Sequence, residues 1–395
     1  MRFAKPKPKV RNLPRRTWLN VGFATTIDCA ILIAAQELGL FRKHGLDVRL
    51  SREVGWATIR EKLLHEELDA AAAHASMLFS IYCGLGVVRR PCLTGMLLGF
   101  NGSAITLSNE LWDLGVRDAV SLGRVIRERK NNHPLTFGVV LELSSQNYNL
   151  RKWLRAGGVD PDKDVRIVVV PSAIVYDCYR AGHLDGYCVA EPWNSAAALS
   201  KSGWIAAATS EIEPQHPEKV LLVLQDFAEK REEEHLRMIA ALIEAGRYCD
   251  QPEHRAELAR MLAQPAYFDV SSELLANALV GAFESGHGRR VVNDFVIYDT
   301  LKAGVPTRAK GRWVFDLVRA LGGEQSQAVL RPEMIAKVFR EDIFQRAAAL
   351  CGKYPPPVPP FLESPGAPGG ALLPTLAATD RARPAPPPAT LTLCS

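Results

Sequence analysis

Strand-like and helix-like segments alternate along this chain in two separate blocks. In the first, Trp18 to Phe23 reads as a buried strand. Asp28 caps a helix through Leu38 that Gly39 closes; Leu46 to Leu50 is a strand, Thr58 to Leu64 a helix and Ala70 to Ala73 a short strand. In the second, Leu135 to Val139 is a strand, Tyr148 to Arg155 a helix ended by Gly157-Gly158, and Val165 to Val170 a β-branched strand. A helix over Ile174 to Arg180 and a strand over Gly186 to Val189 follow. Such alternation predicts parallel βαβ units and an α/β fold. Both blocks carry the same short figure, Glu67-Leu68-Asp69-Ala70 and His183-Leu184-Asp185-Gly186. In each, a helix ends, Leu tucks beneath it, and Asp sits in the turn before a strand. Its recurrence at equivalent places predicts two similar lobes.

Beyond the second block the chain reads as helical from Phe227 to about Ala263, with Leu236, Ile239, Ala240, Ile243 and Tyr248 at helix spacing. Further helices are expected over Ser272–Phe283, Arg312–Leu321, Pro332–Phe339 and Glu341–Leu350. After Gly352 the pattern stops: 12 of the 26 prolines fall in residues 353–395, without apolar periodicity, so residues 351–395 are expected to be a disordered tail.

The formal charge of +5 misleads, because residues 1–16 hold seven basic residues and no acid. Without this arm and the tail the body is slightly acidic, which argues against direct nucleic-acid binding. Arg15-Arg16 before an apolar run imitates a twin-arginine export signal. However, Thr25, Thr26 and Asp28 interrupt the run, no small-residue cleavage site precedes the globular pattern, and the same residues make a good first strand and helix. No segment reaches transmembrane length without a charge, so no membrane insertion is expected. Eight scattered cysteines form no Cys-x-x-Cys pair or zinc-spaced cluster, which points to buried thiols in a reducing compartment.

Candidate site residues cluster in loops and at helix starts. Gly55-Trp56-Ala57-Thr58 places a lone Trp in a short polar loop. Phe100-Asn101-Gly102-Ser103 makes an Asn-Gly turn. Ser144, Ser145 and Gln146 precede a helix, where hydroxyls, an amide and free backbone N–H groups favour a monoanion. Each has a plainer alternative. Trp56 is also a fair packing residue. Ser144 to Gln146, like Thr25, Thr26 and Asp28, serve as helix caps. Glu191-Pro192-Trp193 doubles as a turn with Trp193 packing. His216 reads as structural or solvated, and His74 as a satisfied core histidine. Gly84-Leu85-Gly86 lacks the third glycine of a dinucleotide site.

Taken together, Gly55 to Arg60, Glu67 to Ala70, Phe100 to Thr106, Arg151-x-Trp153-Leu154-x-Ala156-Gly157-Gly158-Val159-Asp160-Pro161, Glu191-Pro192-Trp193-Asn194 and His216-Pro217-Glu218-Lys219 resemble one family. It comprises the nitrate- and bicarbonate-binding receptors of bacterial ABC transporters, and the resemblance is closest to the cytoplasmic nitrate/nitrite sensors derived from them. It runs from about Thr17 to Ala349. It implies a type II periplasmic-binding-protein fold: two α/β lobes, 17–107 plus 209–350 and 108–208, with the ligand cleft between them.

The resemblance implies anion contacts at Trp56, at Asn101, Gly102 and Ser103, and at Gln146, which stands where the receptors carry His. Pro214 stands at about the position of a Lys found in some members, so both cationic partners are expected to be missing. Glu191 occupies the place of an acidic residue that holds calcium in the bicarbonate branch, but one carboxylate makes a poor calcium site; no metal or cofactor is expected. The implied function is a cytoplasmic small-anion sensor of nitrate/nitrite type that controls an ANTAR-type RNA-binding antiterminator by lobe closure. The alternative is an exported, periplasmic receptor delivering nitrate, bicarbonate or a small organic ligand to an ABC permease. The pyrimidine synthase of thiamine biosynthesis shares the fold, but its cysteine-rich motif does not occur here, and the chain is not read as an enzyme.

Overall fold

Asp69 and Asp185, from the repeated figure, make the same pair of bonds in two places. Asp69 Oδ2 accepts the Asn20 N–H at 2.7 Å, and Asp69 N donates to Asn20 O at 2.8 Å. Asp185 Oδ2 accepts the Thr136 N–H at 2.7 Å, and Asp185 N donates to Thr136 O at 2.8 Å. Each Asp thus ties its turn to the start of the neighbouring strand. Leu68 and Leu184 lie over Gly22 and Gly138, where an added Cβ would stand 2.5 Å and 2.9 Å from the Leu Cδ1 atoms. The repeat is a packing device used once in each lobe.

The computed structural model describes residues 17–129, 134–279 and 281–352. The basic arm with Arg15-Arg16, and the proline-dense tail from Lys353, lie outside the described residues. The first sheet contains β1 (Leu19–Phe23), β2 (Val48–Arg52), β3 (Ala70–His74), β4 (Cys92–Leu97) and β11 (Lys219–Leu224), in the order β2-β1-β3-β11-β4. The second contains β6 (Ser103–Ser108), β7 (Thr136–Val139), β8 (Arg166–Val169), β9 (Gly186–Ala190) and β10 (Gly203–Ala208), in the order β10-β6-β9-β7-β8. The expected parallel units hold for β1 with β2 and β3, and for β7 with β8 and β9. The other pairs, β11 with β3 and β4 and β6 with β9 and β10, are antiparallel. The chain crosses to the second sheet before β6 and returns after β10.

Both faces of the first sheet are covered, so its strands are apolar on both sides. Alternation decides which face each residue serves. Leu221 and Val223 of β11 join a core with the helices Ala30–Glu37, Glu232–Asp250 and Arg255–Ala263. Val220, Leu222 and Leu224 join another with Trp56–Leu64, Ser76–Cys83 and Arg308–Leu321. A third core, under the second sheet, holds Ile105, Leu107, Phe137, Val139, Leu150 and Trp153.

Three local expectations are corrected. The first helix begins with a 3-10 turn at Ile27–Cys29 and makes no side-chain cap; Asp28 is buried in an ion pair instead. The helix of the second block runs Ser145–Ala156, so Ser145 and Gln146 are its first turn and only Ser144 caps it, accepting the Asn147 N–H at 3.1 Å. The helix from Ser272 stops at Leu279, and Phe283 belongs to a hairpin of β12 (Ala282–Glu284) and β13 (Arg289–Val291).

That hairpin reaches the second sheet. Ile205 N donates to Ser285 O at 2.8 Å, Arg290 bonds the carbonyls of Ile205 and Ala206, and the His287 ring stacks on Trp112 with centroids 3.8 Å apart. At its base, β14 (Val296–Ile297) pairs with β5 (Phe100–Asn101).

Candidate functional site

β11 opens with a charge inside an apolar run. Lys219 is 1% exposed, and only partners of opposite charge make such burial tolerable. Its Nζ lies 3.0 Å from Asp28 Oδ2 and 3.0 Å from Glu218 Oε2. Burial alone would lower the Lys219 pKa, but the two carboxylates outweigh it and raise the value. Glu218 is also bonded by His216, whose Nε2 stands 2.8 Å from Oε1. Burial acts to raise the Glu218 pKa; Lys219 and His216 overcome it and hold the carboxyl well below its usual range. Burial raises the Asp28 pKa, only partly opposed by Lys219.

The second lobe reaches this cluster through the first turn of the helix Ser145–Ala156. Gln146 Nε2 donates to Glu218 Oε2 at 2.8 Å and to Ser103 Oγ at 2.9 Å. Ser145 lines a small void with His74, Ser76, Pro217, Glu218 and Trp313. On the first-lobe side, Trp56 is the first residue of its helix and 3% exposed. Its ring meets His74 edge-on with centroids 4.5 Å apart, and Lys219 Nζ lies 5.2 Å from the ring centroid. Burial, then the Lys219 charge, push the His74 pKa well below 6.5. Among the described residues, Trp56 Nε1, His74 Nε2 and Ser76 Oγ are buried with no hydrogen-bond partner. His74 is thus a core histidine, but not a satisfied one.

The remaining predicted residues lie elsewhere along the interlobe boundary. Ser144 donates to Leu141 O at 2.7 Å as well as capping its helix. Asn101 (φ +62°) donates from Nδ2 to Asp294 O at 2.8 Å, leaving its buried Oδ1 without a partner among the described residues. Gly102 N donates to Phe295 O at 2.7 Å, and Gly102 O accepts the Glu191 N–H at 3.0 Å. Glu191 O in turn accepts the Ile27 N–H at 2.9 Å, while its Oε2 accepts the Ser195 N–H at 2.9 Å. Burial raises the Glu191 carboxyl to about 7. Trp193 Nε1 donates to Thr25 O at 3.1 Å, and Thr26 is buried beside Asp28.

Trp56, Ser103, Ser145 and Gln146 therefore meet around Glu218, whereas Gly102, Glu191, Trp193 and Thr25 make bonds from one lobe to the other, and Ser144 and Asn101 bond within their own lobes. The expected absence of cations concerned only Gln146 and about Pro214, the positions of the family's two cationic partners; the cluster has a cation from elsewhere in the chain, Lys219. Glu218, Lys219, Asp28, His74 and Ser76 were not singled out as site residues from sequence. The available signal was Glu218-Lys219 placed directly before Val220-Leu221-Leu222-Val223-Leu224, a charged pair at the mouth of a buried strand. Among the described residues no three His, Cys, Asp or Glu side chains stand where they could hold a metal ion. Nor does any helix have the length and apolarity to cross a membrane.

A sequence model of the NMT1-like family matches residues 13–263. Among curated relatives, the chain is 34% identical over 338 residues to the nitrate import ATP-binding protein NrtC of Synechocystis sp. PCC 6803, covering 85% of this chain and 50% of that protein. It is 29% identical over 358 residues to the bicarbonate-binding protein CmpA of Synechococcus elongatus PCC 7942, covering 85% and 78%. The chain thus spans about half the length of the ATP-binding relative. Among solved structures, the periplasmic nitrate-binding protein NrtA from Synechocystis PCC 6803 superposes with a TM-score of 0.79 at 26% identity, over 86% of this chain and 90% of that one. The two-lobed α/β architecture is that of periplasmic binding proteins.

Proposed function

Because the chain belongs to the NMT1-like family, we propose that it is a receptor that binds a small oxyanion of the nitrate or bicarbonate class between its lobes and serves an ABC-type importer. The observation that carries this reading is the polar cluster between the lobes. Gln146 and Ser145 come to it from the second lobe, and Trp56, His74, Ser76 and Lys219 from the first. Three of these side chains keep buried hydrogen-bonding atoms without a partner among the described residues. Buried polar atoms of that kind are normally satisfied, and a small ligand rich in acceptors would satisfy the Trp56 indole and the Ser76 hydroxyl. Ligand contacts to both lobes stabilise the closed arrangement by the difference in affinity between closed and open forms.

In this reading Trp56, Ser103, Ser145 and Gln146 touch the ligand. Asn101, Gly102, Glu191, Trp193 and the Thr25-Thr26 turn set the seam along which the lobes close. We place the lobe boundaries at the crossover strands β6 and β10. The named relatives are transport proteins and anion receptors, which favours the exported, periplasmic receptor over the cytoplasmic sensor of an ANTAR-type partner.

Calorimetric titration of the purified protein with nitrate, nitrite, bicarbonate and formate tests the reading. One of the oxyanions is expected to bind at micromolar concentration with about one site per chain. No heat from any of them at millimolar concentration would sink it.

A further inference from the structure

We propose that Glu218 is a tethered anion: its carboxylate takes the donors that a free oxyanion would take between the lobes, so ligands enter only by displacing it. The inference rests on the receptor reading for its ligand class, but not for its first test. A carboxylate and a small oxyanion are both flat and rich in acceptors. Glu218 Oε2 receives Gln146 Nε2 of the second lobe at 2.8 Å and Lys219 Nζ of the first at 3.0 Å. Oε1 meets His216 Nε2 at 2.8 Å. One carboxylate thus bridges the two lobes as a bound ligand would.

Charge points the same way. Lys219 stands between two carboxylates, Asp28 and Glu218, each 3.0 Å away. With both ionised, no positive charge is left over for a second anion, which would meet Glu218 as a like charge. Space agrees. The void beside Glu218, lined by His74, Ser76 and Ser145, offers about 10 Å³ to a water-sized sphere. That is about the minimum for one water molecule, so an oxyanion cannot sit beside the carboxylate and must replace it. Glu218 therefore sets the affinity of the site. A ligand competes with a group held at high local concentration by its own backbone, and small flat monoanions that reproduce the same three bonds compete best.

The first experiment asks whether a free anion replaces the tethered one. Glu218→Ala removes the carboxylate and leaves its donors, so formate or nitrate at millimolar concentration is expected to raise the melting temperature of the variant by several degrees. Wild type, whose donors are taken, should gain less at the same concentration. If the variant fails to fold in buffer, recovery of folded protein in formate is the same readout. The second experiment uses Glu218→Gln, which keeps the shape and removes the charge; nitrate or bicarbonate should bind it at least tenfold more tightly than wild type. Glu218→Ala that responds to formate no more than wild type overturns the proposal, as does Glu218→Gln that binds a ligand of wild type no more tightly. Micromolar binding by wild type, unchanged in Glu218→Gln, would leave the receptor reading standing and remove this one. Formate rescue of Glu218→Ala without any ligand for wild type or Glu218→Gln would do the reverse.

Discussion

The Lys219 ammonium and the Asp28 carboxylate form a buried ion pair at 3.0 Å, joining the opening of β11 to the 3-10 turn that precedes the first helix. Lys219→Met would leave Asp28 and Glu218 as neighbouring buried acids with no cation between them. Removing one member of a buried pair costs about 3–5 kcal/mol. A loss of that size is expected in urea unfolding, partly restored by adding Asp28→Asn, which removes one stranded charge. A loss below about 1 kcal/mol would mean that water already screens the pair.

In the proposed receptor Trp56 serves both stability and binding, so its replacements separate the two. The indole packs edge-on against His74, and Trp56→Ala should cost about 3–5 kcal/mol as a large-to-small core change. Trp56→Phe keeps an aromatic ring but deletes the Nε1 donor together with the fused five-membered ring, so it should cost about 1–2 kcal/mol, less than alanine. It should also weaken oxyanion binding about tenfold, the worth of one charge-assisted hydrogen bond. Equal affinity in the two proteins would place the indole N–H away from the ligand.

Glu191 should give the protein a measurable pH dependence. Folding raises its carboxyl from 4.5 to about 7 through burial, so the native state keeps the proton over a range where the unfolded chain has released it. Between about pH 4.5 and 7 the native form therefore binds more protons, and this group's contribution to stability falls as pH rises. Glu191→Gln retains an acceptor for the Ser195 N–H and carries no charge. Its stability relative to wild type should grow across that window, reaching about 3 kcal/mol by pH 8. A constant difference from pH 4 to 8 would show that folding leaves the Glu191 carboxyl unshifted.

Gly22 and Gly138 allow a graded test of the repeated figure. An added Cβ meets Leu68 Cδ1 at 2.5 Å in one lobe and Leu184 Cδ1 at 2.9 Å in the other. Gly22→Ala should therefore destabilise more than Gly138→Ala, each within the range of about 1–3 kcal/mol seen for overpacking. Trimming Leu68 to Ala should make the Gly22 change nearly free, a coupling that a double-mutant cycle measures. Additive effects would mean that the two residues do not press on each other.

How far the sequence spoke depended on whether an arrangement was local. Leu68-Asp69 and Leu184-Asp185 announced two like lobes because the bonds they make are set by one turn and the strand beside it. Trp56, Ser103 and Gln146 were legible as neighbours through their resemblance to a family, although they come from three different elements. Lys219 was passed over because its partners, Asp28 and the His216 to Glu218 turn, come together only when β11 lies antiparallel to β3 in the first sheet. Periodicity cannot report that pairing. The same holds for Phe283: a helical pattern ran into it from Ser272, but contact of the hairpin with β10 decided its conformation.

The hairpin of β12 and β13 supplies the last test, because it fastens one edge of the second sheet to the part of the chain that carries the Asn101-Gly102 turn. Gly286 at its tip has φ +99°, and an added Cβ would stand 2.4 Å from Gly203 O and 2.9 Å from Trp204 Cα. Neither the backbone angle nor the space admits a side chain. Gly286→Ala should lift the tip from β10, freeing the Ile205 N–H from Ser285 O and unstacking His287 from Trp112. Arg290 would still hold the base through the Ile205 and Ala206 carbonyls and Glu211, so the release is local rather than global. Hydrogen exchange at the Ile205 amide should accelerate about tenfold or more, while amides of β1 and β3 exchange as before. Unchanged exchange at Ile205 would show that the chain accommodates the methyl group without leaving the sheet.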